Sequence, residues 1–296
     1  AESVQEFERS GRPLTELFPA ERWEYLVGEV QVMGVYGESG LMRAGFPVSP
    51  GSKVRVADNE TLEKFFGFDL EKGLNLGKIE HHDLDVRLNL TRMLQKHLAI
   101  LSISGAGKSY TTTCLIEELL DRSPEHGQVA IIVVDTHGEY LGFNEDPNYR
   151  NRTDVVKGRD FKIGVPGLGA SMFANFLPGL SAVQYRELNK LLGVLNDQMR
   201  GKAFDLKEVL DMLSTDEVIQ NASTRSVLYT HLLSLENTGL FASYDNPSLD
   251  KLAKPGHLTI IDISDMIVRK EKQMVVAYLA QKLFNARRAG TIPPFV

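Results

Sequence analysis

Cysteine is almost missing from this chain: Cys114 stands alone among 296 residues. An internal disulfide is therefore excluded, and a reducing compartment fits. Long hydrophobic runs are missing too. Unbroken apolar stretches are short, six residues at 129–134 and seven at 274–280, far too few to span a bilayer. The opening stretch AESVQEFERSGRPL is acidic and lacks the apolar centre of a secretory signal. Together these readings point to the cytoplasm, with no membrane. Nor is there an excess of positive charge: 33 Lys and Arg face 39 Asp and Glu, a net charge of −6. Residues 1–96 carry 16 acids against 12 bases and the remainder 23 against 21, so any nucleic-acid contact must be a local patch. What remains, 43% apolar and 24% charged, is an ordinary globular composition of a length that suits about two domains.

What is present centres on residues 96–118, KHLAILSISGAGKSYTTTCLIEE. An apolar run over 98–103 reads as a strand, Gly105 and Gly107 as a turn, and the segment from Lys108 to about Arg122 as a helix. Strand, glycine loop and helix in that order make a phosphate-binding loop. The glycines permit backbone angles and a close approach that a Cβ would forbid. Backbone N–H groups at a helix N-terminus then face an anion. Ser104, Gly105, Ala106, Gly107, Lys108, Ser109 and Tyr110 are the candidate ATP cradle. Lys108 would reach the β- and γ-phosphates and Ser109 would ligate Mg²⁺. The full pattern asks for glycine five positions before Gly107, where Ser102 stands. Cys114, on the apolar side of the helix, reads as a small packed residue rather than a reactive thiol.

Upstream, a polar lead-in over 1–22 gives way to alternating apolar positions from Trp23, punctuated by glycine and proline. A short strand is expected at 54–57, a short helix at 60–66 and two strand-like runs within 73–90. Short strands between Gly/Pro turns predict a small barrel or sandwich. His81, His82, Asp83 and Asp85 lack spaced partners and read as a solvated turn. Downstream, VAIIVVD at 129–135 is a strand without alternation, as in a parallel sheet covered on both faces. It ends in Asp135, followed by His137 and Glu139, where ligands collect in open α/β sheets. Residues 144–161 read as a polar loop. Capping boxes at Ser181–Gln184 and Asp205–Glu208 open two helices, and a third covers 224–236 with His231 packed on its apolar face. The strand HLTIIDIS at 257–264 resumes the sheet. A long helix over 270–289 turns Met274, Val275, Tyr278, Leu279, Leu283 and Ala286 inward, and Pro293–Val296 leads towards another strand.

A P-loop ATPase commonly carries a second strand ending in Asp beside an acid that activates water. Two strands here end in Asp, and neither is followed by an acid, so the chain reads as the N-terminal portion of a longer protein. The runs KHLAILSISGAGKSYTT, IIVVDTHGEYLGF, LTIIDIS and QMVVAYLAQKLFNARRAGTIPPFV together resemble the HerA hexameric DNA translocases of the FtsK/HerA branch. Gly28, Val30 and the run GFPVSPGSKVRVAD resemble that family's N-terminal barrel. The resemblance implies an α/β, RecA-like P-loop core with a mostly parallel sheet, preceded by a small β-barrel and interrupted by a helical insertion. On that basis residues 1–92 hold the lead-in and barrel, 93–170 the first part of the core, 171–255 the insertion and 256–296 its continuation. It further implies a homo-hexamer that moves double-stranded DNA with ATP and Mg²⁺ beside a NurA-type nuclease in end resection. Lys108, Asp135 and Glu139 are the candidate catalytic residues; the acidic pair and a trans arginine are expected after Val296. A conjugative or secretory transfer ATPase, and a nucleotide-gated ring module for a nuclease, are the alternatives.

Overall fold

The computed structural model describes residues 29, 31–32, 34–37, 40–215 and 217–296. The lead-in over 1–22, together with Gly28 and Val30, lies outside them. Contacts divide the chain into two units, Ala1–Gly67 and Phe68–Val296.

In the first unit, β1 (Val35–Gly37) and β2 (Gly40–Met42) form an antiparallel hairpin. The expected short helix is α1 (Asn59–Phe66); Asp58 caps it by accepting from the Thr61 N–H at 2.8 Å, and Gly67 ends it in the left-handed region. The strand expected at 54–57 does not form. Val54 and Val56 stay exposed, and an alternating run with no ladder partner among the described residues cannot hold a strand. Among the described residues the strands make an open hairpin, without the closure that defines a barrel.

The second unit starts with an antiparallel hairpin of β3 (Leu74–Lys78) and β4 (Asp85–Leu88), turning through His81–Asp83. Then come α2 (Leu90–Leu94) and the glycine-loop helix α3 (Lys108–Leu120). Next are β5 (Ile131–Asp135), α4 (Gly142–Glu145), β6 (Thr153–Lys157) and β7 (Ile163–Gly164). A helical block follows: α5 (Ala170–Phe176), α6 (Ala182–Met199), α7 (Leu206–Ser214) and α8 (Ala222–Glu236). The chain continues through β8 (Phe241–Ala242), α9 (Leu249–Leu252), β9 (Leu258–Asp262) and α10 (Arg269–Arg288). Both capping boxes form: at Ser181 the backbone N–H donates to Gln184 at 2.8 Å, and at Asp205 to Glu208 at 2.8 Å.

The central sheet is parallel, in the order β5-β9-β6. Every residue of β9 is buried, Thr259 and Asp262 included, which is why its sequence shows no apolar–polar alternation. Successive side chains nonetheless point to opposite faces. Leu258 and Ile260 join Ile131 and the α3 side chains Leu115, Ile116, Leu119 and Leu120. Ile261 and Ile263 enter a larger core shared with α5 to α8 and α10. The result is three layers, with α3 on one face and the helical block on the other.

Two expectations within the sheet are corrected. Residues 98–103 form no strand: the outer edge of β5 is taken by 294–296, where Ile132 N–H donates to the Val296 carbonyl at 2.8 Å, and Leu101 and Ile103 remain 87% and 81% exposed. Conversely, the polar stretch 144–161 contains β6, a five-residue strand whose Val155 and Val156 sit beside Ile260 and Ile261 of β9. Its charged neighbours hid it.

Candidate nucleotide-binding site

Gly105 and Gly107 take φ of +81° and +91°, angles that L side chains rarely adopt, with open space where a Cβ would stand. The glycines are therefore required by backbone conformation rather than by crowding. They turn the chain into α3, whose N-terminus has no side-chain cap. A 13-residue helix thus presents its first N–H groups and the positive end of its dipole at the loop. Lys108 Nζ lies 3.2 Å from the Ile103 carbonyl and 3.4 Å from that of Ser102, which keeps the ammonium folded over the loop. Ser102 donates its hydroxyl to the Ile103 carbonyl at 3.1 Å, and Tyr110 stands exposed on the first turn. Uncapped N–H groups, a flexible ammonium and backbone-only walls fit a polyphosphate.

The Ser109 hydroxyl donates to Glu139 Oε2 at 2.7 Å, joining positions 30 residues apart in the chain. A hydroxyl and a carboxylate are hard oxygen ligands, the donor type that suits Mg²⁺. The sequence-predicted site residues Ser109 and Glu139 are thus brought together. Asp135 is not part of that contact. It is 1% exposed, and both its oxygens are taken by its own loop: Oδ1 accepts from His137 N–H at 3.1 Å and Gly138 N–H at 2.8 Å, and Oδ2 accepts from Tyr140 N–H at 2.9 Å.

One strand over, Asp262 stands in register with Asp135 and is equally buried, but its partners differ. Lys157 Nζ, at the end of β6, donates to it at 2.6 Å, and Ser264 donates both its hydroxyl and its N–H. Burial alone would push the Asp262 carboxyl up; the hydrogen bonds from Lys157 and Ser264 outweigh it and hold the carboxyl below its usual range. The row Asp135, Asp262, Lys157 escaped sequence reasoning because register is not written in a strand's own residues. An acid closing each of two apolar strands was the available signal.

The far end of α3 is fastened. Glu118 accepts from Asn75 N–H at 2.9 Å, and Asp121 accepts from Tyr149 at 3.0 Å and Arg152 at 3.1 Å. Burial, with Asp121 beside it, pushes the Tyr149 phenol up to about 12.

A parallel sheet backed by a glycine-loop helix, with a carboxylate meeting the serine after the loop lysine, defines a P-loop nucleotide-binding core of the α/β class. Residues 74–283 match the family model described as "Helicase HerA, central domain", and the chain belongs to that family. Among curated relatives, the probable DNA double-strand break repair helicase HerA of Methanocaldococcus jannaschii is 36% identical over 125 residues, covering 42% of this chain and 24% of that protein. The DNA double-strand break repair helicase HerA of Pyrococcus furiosus is 22% identical over 290 residues, covering 89% of this chain and 50% of that protein. The chain thus spans about half or less of these two relatives. Among solved structures, VirB4 of Thermoanaerobacter pseudethanolicus superposes with a TM-score of 0.54 at 16% identity, covering 75% of this chain and 65% of that one, a likeness of fold.

Proposed function

We propose that this chain is the nucleotide-binding portion of an ATP-driven translocase or helicase acting on double-stranded DNA in end resection, beside a NurA-type nuclease. The observation that carries the reading is the Ser109–Glu139 contact at the mouth of an uncapped glycine-loop helix. Family membership and the names of the relatives supply the DNA-repair setting. On this reading residues 104–110 cradle ATP, Lys108 offsets the charge of the β- and γ-phosphates, and Ser109 holds Mg²⁺ with Glu139 behind it. The metal would supply charge neutralisation at the phosphates; the chain's own groups bind and orient. The active form is a cytoplasmic homo-hexamer, with an N-terminal barrel formed from the region before residue 93. Neither Asp135 nor Asp262, the acids that end β5 and β9, has an acidic neighbour in sequence, so residues 1–296 by themselves bind ATP but turn it over poorly.

The likeness to VirB4 is one of fold and fits a transfer ATPase equally, whereas the relatives' names favour DNA repair. The test is ATP hydrolysis by the intact protein with and without duplex DNA. DNA-stimulated turnover that Lys108→Ala reduces by at least ~100-fold is expected, since the lysine faces charge that develops during transfer. Turnover unchanged by Lys108→Ala would refute the site. Normal turnover without movement along duplex would leave a nucleotide-gated ring module.

A further inference from the structure

Among the described residues, the carboxylate of Asp135 at the end of β5 meets only backbone N–H groups of its own loop. Oδ1 accepts two N–H groups, from His137 and Gly138, and Oδ2 accepts that of Tyr140. A carboxylate offers about four lone-pair sites, so three are spent, and the residue is 1% exposed. Little is left for a cation. The three bonds do something else: they bracket Glu139, pinning the residue before it and the residue after it. Gly138 takes φ of +76°, which any side chain would strain, and a Cβ there would stand 3.6 Å from the Ser264 hydroxyl. The turn is thereby set from both sides, and Glu139 emerges from it with Oε2 2.7 Å from Ser109 Oγ.

We propose that Asp135 is a positioning residue: by binding the N–H groups of 137, 138 and 140 it fixes Glu139, which takes the Ser109 proton in a hydrogen bond and leaves the serine lone pairs for a hard cation. The inference rests on the nucleotide reading given above. It assigns the two acids separate tasks, since Glu139 touches the serine whereas Asp135 acts only through Glu139.

The test compares the unaltered chain with Asp135→Asn, Glu139→Ala and the double variant. The first readout is amide hydrogen exchange over 136–141 without nucleotide. Asn keeps one acceptor oxygen but turns an NH₂ towards the Tyr140 N–H, so exchange there should quicken in Asp135→Asn and stay slow in Glu139→Ala. The second is the affinity for a fluorescent ATP analogue with Mg²⁺ and with EDTA. Each single variant should lose Mg²⁺-dependent tightening by about tenfold, the lower end of what outer ligand partners command, and neither should change binding in EDTA. The double variant should be no worse than Glu139→Ala. Multiplied losses in the double would mean that Asp135 meets the cation itself, and unchanged exchange in Asp135→Asn would mean that it does not hold the loop; either overturns the proposal. Should Asp135→Asn fail to fold, Gly138→Ala disturbs the same turn with Asp135 intact, and undiminished Mg²⁺ tightening in that variant overturns it as well. Absence of analogue binding by the unaltered chain would instead overturn the nucleotide reading, while the exchange result still decides whether Asp135 sets the turn.

Discussion

On one face of the β5-β9-β6 sheet, Ile261 and Ile263 sink into a core shared with four consecutive helices and α10; on the other, Ile131, Leu258 and Ile260 join a smaller cluster with α3, Leu74 of β3 and Phe143 of α4, against which α2 packs. The first face is also locked by polar groups. Asp245 takes hydrogen bonds from Lys282 and Tyr278 of α10 and from Gly164 N–H, the last at 2.9 Å. The second face is held at the far end of α3 and left open at the near end, where the glycine loop and residues 98–103 stand in solvent. The contrast separates two tasks. Apolar area removed from water stabilises the fold on the closed side. The open side keeps uncapped N–H groups, and Lys108 held only by two loop carbonyls, within reach of an anion, which a packed core would forbid.

Mutations on the two sides should therefore differ in kind. The largest effect belongs to Phe173→Ala, on the closed side, where a fully buried ring lies against Phe241. A loss of about 4 kcal/mol is expected from urea unfolding, the usual cost of emptying such a site. A loss under about 1 kcal/mol would mean that the helical block packs loosely.

Next comes Lys282→Met, which leaves Asp245 half-buried without its cation and should cost about 2 kcal/mol near neutral pH. Its pH dependence is the sharper check. Burial would raise the Asp245 carboxyl, but hydrogen bonds from Lys282, Tyr278 and Gly164 hold it below its usual range. A depressed carboxyl contributes stability in full above its unfolded value and loses it as pH falls through the folded one. Urea midpoints measured between about pH 6 and pH 3 should fall, and fall less steeply in Lys282→Met. Parallel slopes would remove Asp245 from the acid response.

Smaller still is Arg152→Ala, which frees Asp121 at the fastened end of α3 and should cost about 1 kcal/mol, because the pair is partly exposed. Hydrogen exchange should quicken at 117–121 and not at 108–112. Uniform loosening of α3 would mean that its two ends are not held independently. The smallest effect is expected for Leu101→Ser, within about 0.5 kcal/mol, since the side chain is 87% exposed. A substantial loss there would show 98–103 to be covered in solution and would erase the contrast between the faces.

Sequence reading did best where the signal is short in range. Ser181 with Gln184 and Asp205 with Glu208 announced helix starts that form as boxes, and the six inward residues of α10 are all buried. On strands it held for β3, β4, β5 and β9 but failed elsewhere, in both directions. Residues 98–103 and 54–57 have strand composition and no described partner, whereas 153–157 has charged flanks and a partner on β9. A helix closes its hydrogen bonds within itself; a strand borrows them from another part of the chain. The site divides along the same line. The glycine loop, Lys108 and Ser109 were legible as a local motif, but the separate partners of Asp135 and Asp262, acids of like context on neighbouring strands, were not.

By itself the sequence determined the glycine loop, the helix it opens and the apolar strands that end in acids, because each depends on neighbours a few residues away. Tertiary structure alone decided that Glu139 meets Ser109, that Lys157 answers Asp262, and that Asp135 turns back on its own loop. Strand register and layer packing bring together residues far apart in the chain, 105 positions for Lys157 and Asp262, and a hydrogen bond forms only where both partners arrive.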